Sequence, residues 1–322
     1  MILRLILLFA LSMLCIAYSL TQGSVTIPFS EIISPESALH QQVVWELRLP
    51  RIISAFIVGG SLAMSGALMQ VLLRNPLADP YILGVSGGAA VGALSATLLG
   101  ISGVFLHSMA FTGAMITTAL VFMLARDHGR WNSTRLLLTG VVLAAGWGAI
   151  ISLLLSLSTN MQMRGMIFWL MGDFSHAEFS GLTSLLLITG LLVSLFLSRS
   201  LNLMISGDRQ AAALGVETHQ VRVIIYITAS LLTASAVTLA GPIGFVGLII
   251  PHLLRLSGFR DHRYLLPGCL LAGGSLLMIA DTISRSLIAP AQLPVGVITA
   301  LIGVPLFLLL LHKQMLDSHV AT

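Results

Sequence analysis

Long apolar runs without charge cover most of the chain, and short segments that are charged or rich in glycine and proline separate them. A helix needs about 20 apolar residues to cross a lipid bilayer, so each run of that length predicts a membrane-spanning helix. The runs are continuous, whereas membrane β-barrels alternate in polarity over segments of roughly ten residues. The pattern therefore predicts an all-α polytopic membrane protein with a single membrane domain, residues 1–322.

Ten spans are predicted when these runs are divided where glycine and proline interrupt them. The run 81–125 is too long for one helix and is divided at Gly100 and Gly103. The run 223–254 is divided at 241–244, which leaves a short second part. The predicted spans lie within 5–20, 52–73, 81–125 (two), 136–163, 179–198, 223–254 (two), 264–283 and 296–311, with an amphipathic piece at 164–173.

The composition indicates that lipid is the main solvent of the chain. Hydrophobic residues make up 57% of it and charged residues 9%, whereas a soluble domain carries roughly 25% charged residues. Basic cytoplasmic loops explain the net charge of +4, and the clustered cations that nucleic-acid binding requires are absent from the sequence. Cys15 and Cys269 lie inside apolar runs and are interpreted as packing residues, so we expect no disulfide, no metal site and no nucleic-acid partner.

The distribution of basic residues predicts the side of the membrane that each loop occupies. With a cytoplasmic N-terminus, 12 of the 16 basic residues fall on the cytoplasmic side, and Arg48, Arg51, Arg164 and Arg285 are the exceptions. The positive-inside rule then predicts that both termini are cytoplasmic in a multi-pass protein of the bacterial inner membrane. A cleaved signal peptide is the alternative for the first run, but we favour a retained span.

Several motifs, in a fixed order, carry a resemblance to a known family. They are RLPR at 48–51, NPLADP at 75–80, LGVS at 83–86, GPIGFVGLIIPH at 241–252, DHR at 261–263, AD at 280–281 with Arg285, and LPVGVIT at 293–299. From about residue 45 to residue 311 the chain resembles the permease family of ATP-binding-cassette (ABC) importers for iron–siderophores, haem and vitamin B12.

The resemblance implies a fold, a set of partners and a class of cargo. The fold is a subunit of about ten transmembrane helices, similar to the permease of the vitamin B12 importer. Its partners are a second copy of itself, two ABC ATPase subunits, a periplasmic substrate-binding protein and the surrounding membrane lipid. The cargo is a bulky metal chelate. Cobalamin is favoured over ferric siderophore or haem because the tract 258–269 resembles the cobalamin permease slightly more closely.

The chain has no phosphate-binding loop of its own. That loop requires the pattern G-x-x-x-x-G-K-[ST], and the only lysine, Lys313, is followed by Gln314. We therefore expect a transporter subunit that is not an enzyme and binds no cofactor, with ATP hydrolysed by a partner chain. The alternative is an ion-coupled secondary transporter, which would carry ion sites at the bilayer midplane. Asp281, the only carboxylate within a predicted span, lies near a span end instead.

The sequence gives less support to two other functions, a membrane enzyme and a metal site at His252. A membrane enzyme would need a clustered set of His or carboxylate residues, and the sequence contains no such set. His252 follows Pro251 in the long glycine–proline motif, with no second His or Cys at ligand spacing nearby, so we interpret it as a hydrogen-bonded structural residue.

Three arginines predicted on the outer side match docking positions of the family. Arg48, Arg51 and Arg285 would bind acidic residues of the substrate-binding protein, because the planar guanidinium can grip a carboxylate with two hydrogen bonds. Snorkelling of the side chain to lipid head groups is the alternative for Arg48 and Arg51. For Arg285 the alternative is an internal ion pair with Asp281, four residues earlier on the same helix face.

The polar segment 201–222 is predicted to transmit movement from the ATPase. It is expected to form two short surface helices with an Ala-rich centre and a break at Gly215. Its place between the sixth and seventh spans matches the coupling segment of the family, although a plain solvated loop would also be polar. The residues expected to couple to the ATPase are Asp208, Ala211, Ala212, Gly215 and Val216.

A cytoplasmic gate is predicted at the inner ends of two spans, at positions that match the gate of the family. Helix capping is an equally good structural reason for polar residues at such ends. The residues of the predicted gate are Asn75, Pro76, Leu77, Ser133 and Thr134.

Overall fold

The computed structural model of the protein describes residues 1–23, 25–33, 37–127, 130–131, 133–175 and 181–320. Within these ranges the regular secondary structure is helical apart from one short pairing of Arg126–Asp127 with Arg130–Trp131, which confirms the all-α prediction. The α-helices are α1 (Ile2–Thr21), α2 (Phe29–Ile33), α3 (Ala38–Gln42), α4 (Leu49–Leu72), α5 (Val85–Leu98), α6 (Val104–Leu124), α7 (Ser133–Leu157), α8 (Asn160–Met171), α9 (Gly181–Phe196), α10 (Ser198–Ile205), α11 (Asp208–Ala213), α12 (Thr218–Ala240), α13 (Val246–Leu256), α14 (His262–Ser286) and α15 (Val295–Val320).

Length and composition qualify six of the described helices as membrane spans. They are α1, α6, α7, α12, α14 and the continuous helix Ala38–Leu72, which joins α3 to α4 through a π-helical stretch, Val43–Arg48. A seventh span is possible if α9 and α10, which are bent by 62° against each other, form one crossing. α5, α13 and the apolar part of α15 are shorter. The apolar elements coincide with the predicted runs, and the number of ten crossings stays a prediction.

The helix α4 forms the centre of the bundle. Almost all of its side chains are buried, and it packs against α12, α13 and α14. Close approach to α14 depends on Gly59, since a Cβ at that position would overlap the carbonyl group of Gly273. On another side Ser65 Oγ lies 2.7 Å from Thr233 Oγ1 and donates to the carbonyl of Ala229 at 2.8 Å. Small residues and hydroxyl groups of this kind hold helices together where lipid weakens the hydrophobic driving force.

The first helix is attached to α14 by two hydroxyl pairs. Ser12 Oγ lies 2.8 Å from Ser275 Oγ, and the hydroxyl of Thr282 donates to Ser19 Oγ at 2.8 Å. All four residues are buried, whereas the apolar side chains on the other faces of α1 are largely exposed, as expected for a helix that faces lipid. The polar residues of α1 therefore mark its protein-facing side.

The structure corrects the predicted boundaries of two segments, the fifth span and the polar segment 201–222. The fifth span was expected to reach residue 163, but α7 ends at Leu157 and α8 begins at Asn160. Thr159 and Gln162 form a capping box there, which starts a new helix. The predicted pair of short helices in 201–222 is present as α10 and α11, but α10 begins at Ser198, and residues from Thr218 onward belong to α12.

The breaks predicted at glycine are confirmed. α5 and α6 are separated by a turn in which Gly100 and Gly103 have φ of 71° and 63°. α12 ends at Ala240, followed by Gly241 with φ of 69°. Such left-handed conformations strain any residue with a Cβ. Because glycine adopts them readily, the sequence could locate these breaks.

We expect Gly59→Val to lower the thermal stability of the protein, because the added side chain must push α4 away from α14. Overpacking of this kind costs about 1–3 kcal/mol. The measurement is thermal unfolding in detergent. Gly146→Val on α7 is the matched control, since an added Cβ at Gly146 would have no neighbour within 4 Å. Equal melting temperatures for the two variants would contradict this account of the α4–α14 contact.

Candidate docking, gate and coupling sites

Arg48 directly precedes the first residue of α4 and is almost fully buried, with 4% of its surface exposed. Its guanidinium donates to the carbonyl oxygen of Leu20 at 2.5 Å and to the carbonyl oxygen of Val25. Both acceptors belong to the end of α1 and the segment that follows it. Arg48 therefore satisfies backbone carbonyls that the end of a helix leaves without partners.

Arg51 and Arg285 share one buried carboxylate. Arg51 binds Asp281 through Nε and Nη2, with N–O distances of 2.8–3.1 Å, and Arg285 Nε lies 3.1 Å from Asp281 Oδ2. The side chain of Asp281 is 1% exposed. On its more exposed side Arg51 donates from Nη1 to Gln292 Oε1 at 3.0 Å. We call Arg48, Arg51, Asp281 and Arg285 the arginine cluster.

The contacts of Arg51 and Asp281 join four parts of the chain. Arg51 comes from α4, Asp281 and Arg285 come from α14, and Gln292 lies in the loop before α15. Asp173, in the loop after α8, reaches Arg51 with one oxygen at 4.0 Å. The three arginines predicted to dock a partner thus have internal partners in this chain, and docking stays a prediction. The ion pair of Arg285 with Asp281, the alternative weighed for it, is present.

The predicted gate residues Asn75, Pro76 and Leu77 follow α4 at its other end. Asn75 Oδ1 accepts a hydrogen bond from the backbone N–H of Leu77 at 2.9 Å, so the side chain closes a local turn. Pro76 is exposed. Thr134 lies in the first turn of α7, whereas the side chain of Ser133 is outside the described part of the chain. The described contact of Asn75 is thus a local turn that caps no helix, and gating stays a prediction.

Two further groups brace the loop after α4. Asp79 accepts from the N–H of Tyr81 at 2.8 Å, and its burial raises its pKa to about 6, against that hydrogen bond. The hydroxyl of Tyr81 donates to the carbonyl of Ile243 at 3.2 Å and accepts from the N–H of Ile243 at 3.0 Å. The loop is therefore attached to the glycine–proline break between α12 and α13.

The predicted coupling residues lie on and after α11. Ala211 is fully buried, whereas Ala212 and Gly215 are exposed. Gly215 has φ of 84°, and the N–H of Val216 donates to the carbonyl of Ala211 at 3.0 Å, which is the hydrogen bond of a Schellman helix end. Leu214, which the sequence reading did not single out, is 66% exposed. α11 therefore presents a small apolar surface beside a glycine turn.

Asp208, the first residue of α11, makes ion pairs with two arginines. One carboxylate oxygen contacts Arg74, which directly precedes the predicted gate, and the other contacts Arg222 near the start of α12. We call these three residues the Asp208 bridge. The sequence predicted Asp208 as part of the coupling segment but did not predict either ion pair. Arg222 lies 14 residues further along, at the end of the same segment, whereas Arg74 lies on a distant part of the chain.

The family motif DHR surrounds a further polar contact. Asp261 caps α14 and accepts from Asn202 Nδ2 at 2.8 Å and from the N–H of Arg263 at 2.9 Å. Burial raises the pKa of Asp261, but these hydrogen bonds and the charges of Arg263 and His262 outweigh it, so the pKa lies below its ordinary value. The motif therefore ties α14 to α10. Among the described residues no three potential metal ligands come together.

Known proteins resemble nearly the whole chain. The vitamin B12 import system permease protein BtuC of Escherichia coli O139:H28 is 41% identical over 307 residues, which is 94% of this chain and 93% of that protein. The protein of the same name from Citrobacter koseri is 42% identical over 284 residues, which is 86% of this chain and 85% of that protein.

Solved structures agree with these relatives. A metal-chelate type ABC transporter in an inward-facing conformation matches with a TM-score of 0.88 and 34% identity, covering 97% of this chain and 100% of that one. PsaBC from Streptococcus pneumoniae matches with a TM-score of 0.57 and 15% identity, covering 88% of this chain and 95% of that one, and so shares the fold alone.

The helical membrane fold and these relatives together identify the chain as a permease subunit of an ABC importer of the metal-chelate and vitamin B12 type. The pattern of the FecCD transport family matches residues 10–313. The chain belongs to this family, which confirms the resemblance seen in its motifs.

We expect Asp281→Asn to destabilise the protein strongly, because it leaves Arg285 buried without a counter-ion and leaves Arg51 with only Asp173, at 4.0 Å. Breaking a buried ion pair by removing one partner costs about 3–5 kcal/mol. Thermal unfolding in detergent measures the effect. Glu46→Gln, which neutralises an exposed carboxylate near the same end of α4, is the control. A melting temperature of Asp281→Asn equal to that of the control would show that the cluster does not hold the bundle together.

Proposed function

We propose that this chain is the membrane subunit through which a bulky metal chelate, cobalamin in the first place, passes into the cytoplasm. The observation that carries the proposal is the identity of 41% with vitamin B12 permeases over 94% of the chain. Ferric siderophore or haem would use the same kind of pathway. A periplasmic binding protein delivers the cargo, two separate ABC subunits hydrolyse ATP, and a second copy of this chain completes the passage.

The second copy would cover apolar surface that one chain leaves exposed. Along α7 these exposed side chains include Leu138, Val142 and Leu153, and along α15 they include Leu301 and Leu308. Lipid covers part of such a surface in any membrane protein. Because α7 is exposed over most of its length, it is a better candidate for the wall of a shared passage than the fully enclosed α4.

The binding protein would dock at the arginine cluster. Within the cluster, the Nη1 group of Arg51 that binds Gln292 is the part nearest to solvent. An acidic side chain of the partner can replace Gln292 as acceptor, while Asp281 keeps the other side of the guanidinium in place. Arg285, which is 6% exposed, holds Asp281 from within the bundle, whereas Arg48 binds the backbone carbonyls of Leu20 and Val25.

The ATPase would contact α11 and the glycine turn that follows it. Leu214 is an exposed apolar side chain flanked by Ala212, Ala213 and Gly215, so the surface can enter an apolar groove on another protein with little steric hindrance. Exposed apolar groups at a polar membrane face are typical of protein–protein contacts. The position of α11, joined to the predicted gate by the Asp208 bridge, supports this assignment.

We expect proteoliposomes that contain the assembled importer to accumulate cobalamin only when ATP and the binding protein are present. A protonophore should leave this uptake unchanged, because ATP hydrolysis supplies the energy. The purified chain alone should hydrolyse no ATP. Uptake that needs no ATP and stops with the protonophore would instead identify an ion-coupled transporter. Uptake of a ferric siderophore but not of cobalamin would correct the cargo and retain the class.

We expect Arg51→Gln to weaken binding of the periplasmic protein roughly 30-fold or more, since loss of one partner from a desolvated charge pair costs about 2 kcal/mol or more. Glutamine is preferable to glutamate because a second carboxylate beside Asp281 would disturb folding. Binding is measured at low salt with the importer in lipid nanodiscs. Arg164→Gln, at an exposed arginine of α8, is the control. An unchanged Kd for Arg51→Gln would remove Arg51 from the docking site.

A further inference from the structure

The helix α11 lies between two glycines that can act as pivots. Gly207, directly before it, has φ of 114°, and Gly215, after it, has φ of 84°. A Cβ at either position would meet no other group within 4 Å, so neither glycine is required by close packing. Conformational changes in proteins commonly concentrate at a few residues at the ends of such elements. The orientation of α11 therefore depends on the contacts that the helix itself makes.

Among the described residues of α11, Ala211 and Asp208 make the contacts that restrain the helix. Ala211 is buried, but its methyl group is small and supplies little directional restraint. Asp208 restrains the orientation of α11, because its two carboxylate oxygens contact different arginines in different parts of the chain. Arg222 belongs to α12 and is mostly buried, with 11% of its side chain exposed. Arg74 lies two residues after the end of α4, and its side chain is 39% exposed.

Arg74 occupies a backbone position that normally favours glycine. Its φ is 49°, and the N–H of Asn75 donates to the carbonyl of Gln70 at 3.1 Å, so Arg74 is the left-handed residue of a Schellman helix end. A residue with a Cβ pays about 1 kcal/mol for that conformation. The ion pair of its side chain with Asp208 explains why an arginine occupies this position. The next residues along the chain are Asn75, Pro76 and Leu77.

We propose that Asp208 is the positioning residue that makes α11 and the segment 74–77 move as one unit. A displacement of α11 between its two glycines would then shift the end of α4 through Arg74, while Arg222 keeps the carboxylate aligned with α12. The inference rests on the proposed roles of α11 in coupling and of 74–77 in gating. It adds that the link between them is a side-chain ion bridge, separate from the surface that the ATPase touches.

The test compares Arg74→Gly, Asp208→Asn and the double variant in the complete importer, with cobalamin as the probe. Arg74→Gly removes the guanidinium and also relieves the backbone conformation, so this variant should melt no lower than the unaltered protein. Uptake per ATP hydrolysed should fall roughly fivefold in each single variant, the equivalent of about 1 kcal/mol for a partly exposed ion pair. Arg260→Gly, at an exposed loop arginine, is the control.

The double variant separates a shared link from two independent effects. If Arg74 and Asp208 act through one bridge, the double variant should lose no more uptake per ATP than either single variant. Losses that multiply to roughly 25-fold, as independent sites would give, would overturn the proposal. So would full uptake per ATP in both single variants, which would leave the bridge as a surface ion pair only.

A second readout does not depend on the cargo. Nitroxide labels at Pro76→Cys and Ala213→Cys, in one labelled chain diluted with unlabelled chain, should give a single narrow distance in the complex. Adding Asp208→Asn should broaden that distance, and an unchanged distribution would argue against the bridge. Leu214→Asp keeps the two proposals distinguishable. If it abolishes transport while the bridge variants are neutral, α11 couples without the bridge, whereas if it is also neutral, the coupling assignment of α11 itself fails.

Discussion

Polar groups inside a bilayer find no water, so the protein itself must supply their partners. This constraint explains several of the polar contacts between helices. Ser12, Ser19 and Ser65 each pair with a hydroxyl group of a neighbouring helix, whereas the buried hydroxyl groups of Ser54 and Ser61 on α4 have no hydrogen-bond partner among the described residues. The buried carboxylate of Asp281 forms ion pairs with Arg51 and Arg285, and the guanidinium of Arg48 donates to backbone carbonyls. Each buried polar contact also determines which helices are neighbours.

The helix α4 connects the two charged groups of the structure. The arginine cluster lies where α4 begins, and the Asp208 bridge begins at Arg74, just after α4 ends. Between them the helix is enclosed by α12, α13 and α14, with glycine at the closest approaches, so it has little room to bend. A stiff central helix with ion contacts at both ends can transmit a shift in position from one membrane face to the other. This property suits the proposed function, in which partners bind on both sides of the membrane.

The sequence was sufficient for the helical class, the central breaks and the family, because each of these is recorded locally. Apolar runs predict helices, and the glycines at 100, 103 and 241 mark breaks through their own conformation. The end of α7 was misplaced because the capping box at Thr159 is a weak signal inside an apolar stretch. The contact of Arg51 with Asp281 was missed for a different reason. The two residues are 230 positions apart, and hydrophobic periodicity does not say which helices touch.

Arg48 also bears on how the protein is made. The carbonyls at the end of α1 and just beyond it are completed by a side chain that lies 28 residues after Leu20. As the chain leaves the ribosome, the end of α1 emerges 28 residues ahead of that side chain. The hydrogen bonds at the end of α1 are completed only when the start of α4 is in place. Insertion of α1 and α4 as one hairpin, with α2 and α3 carried between them, is therefore the order of assembly that leaves these carbonyls exposed for the shortest time.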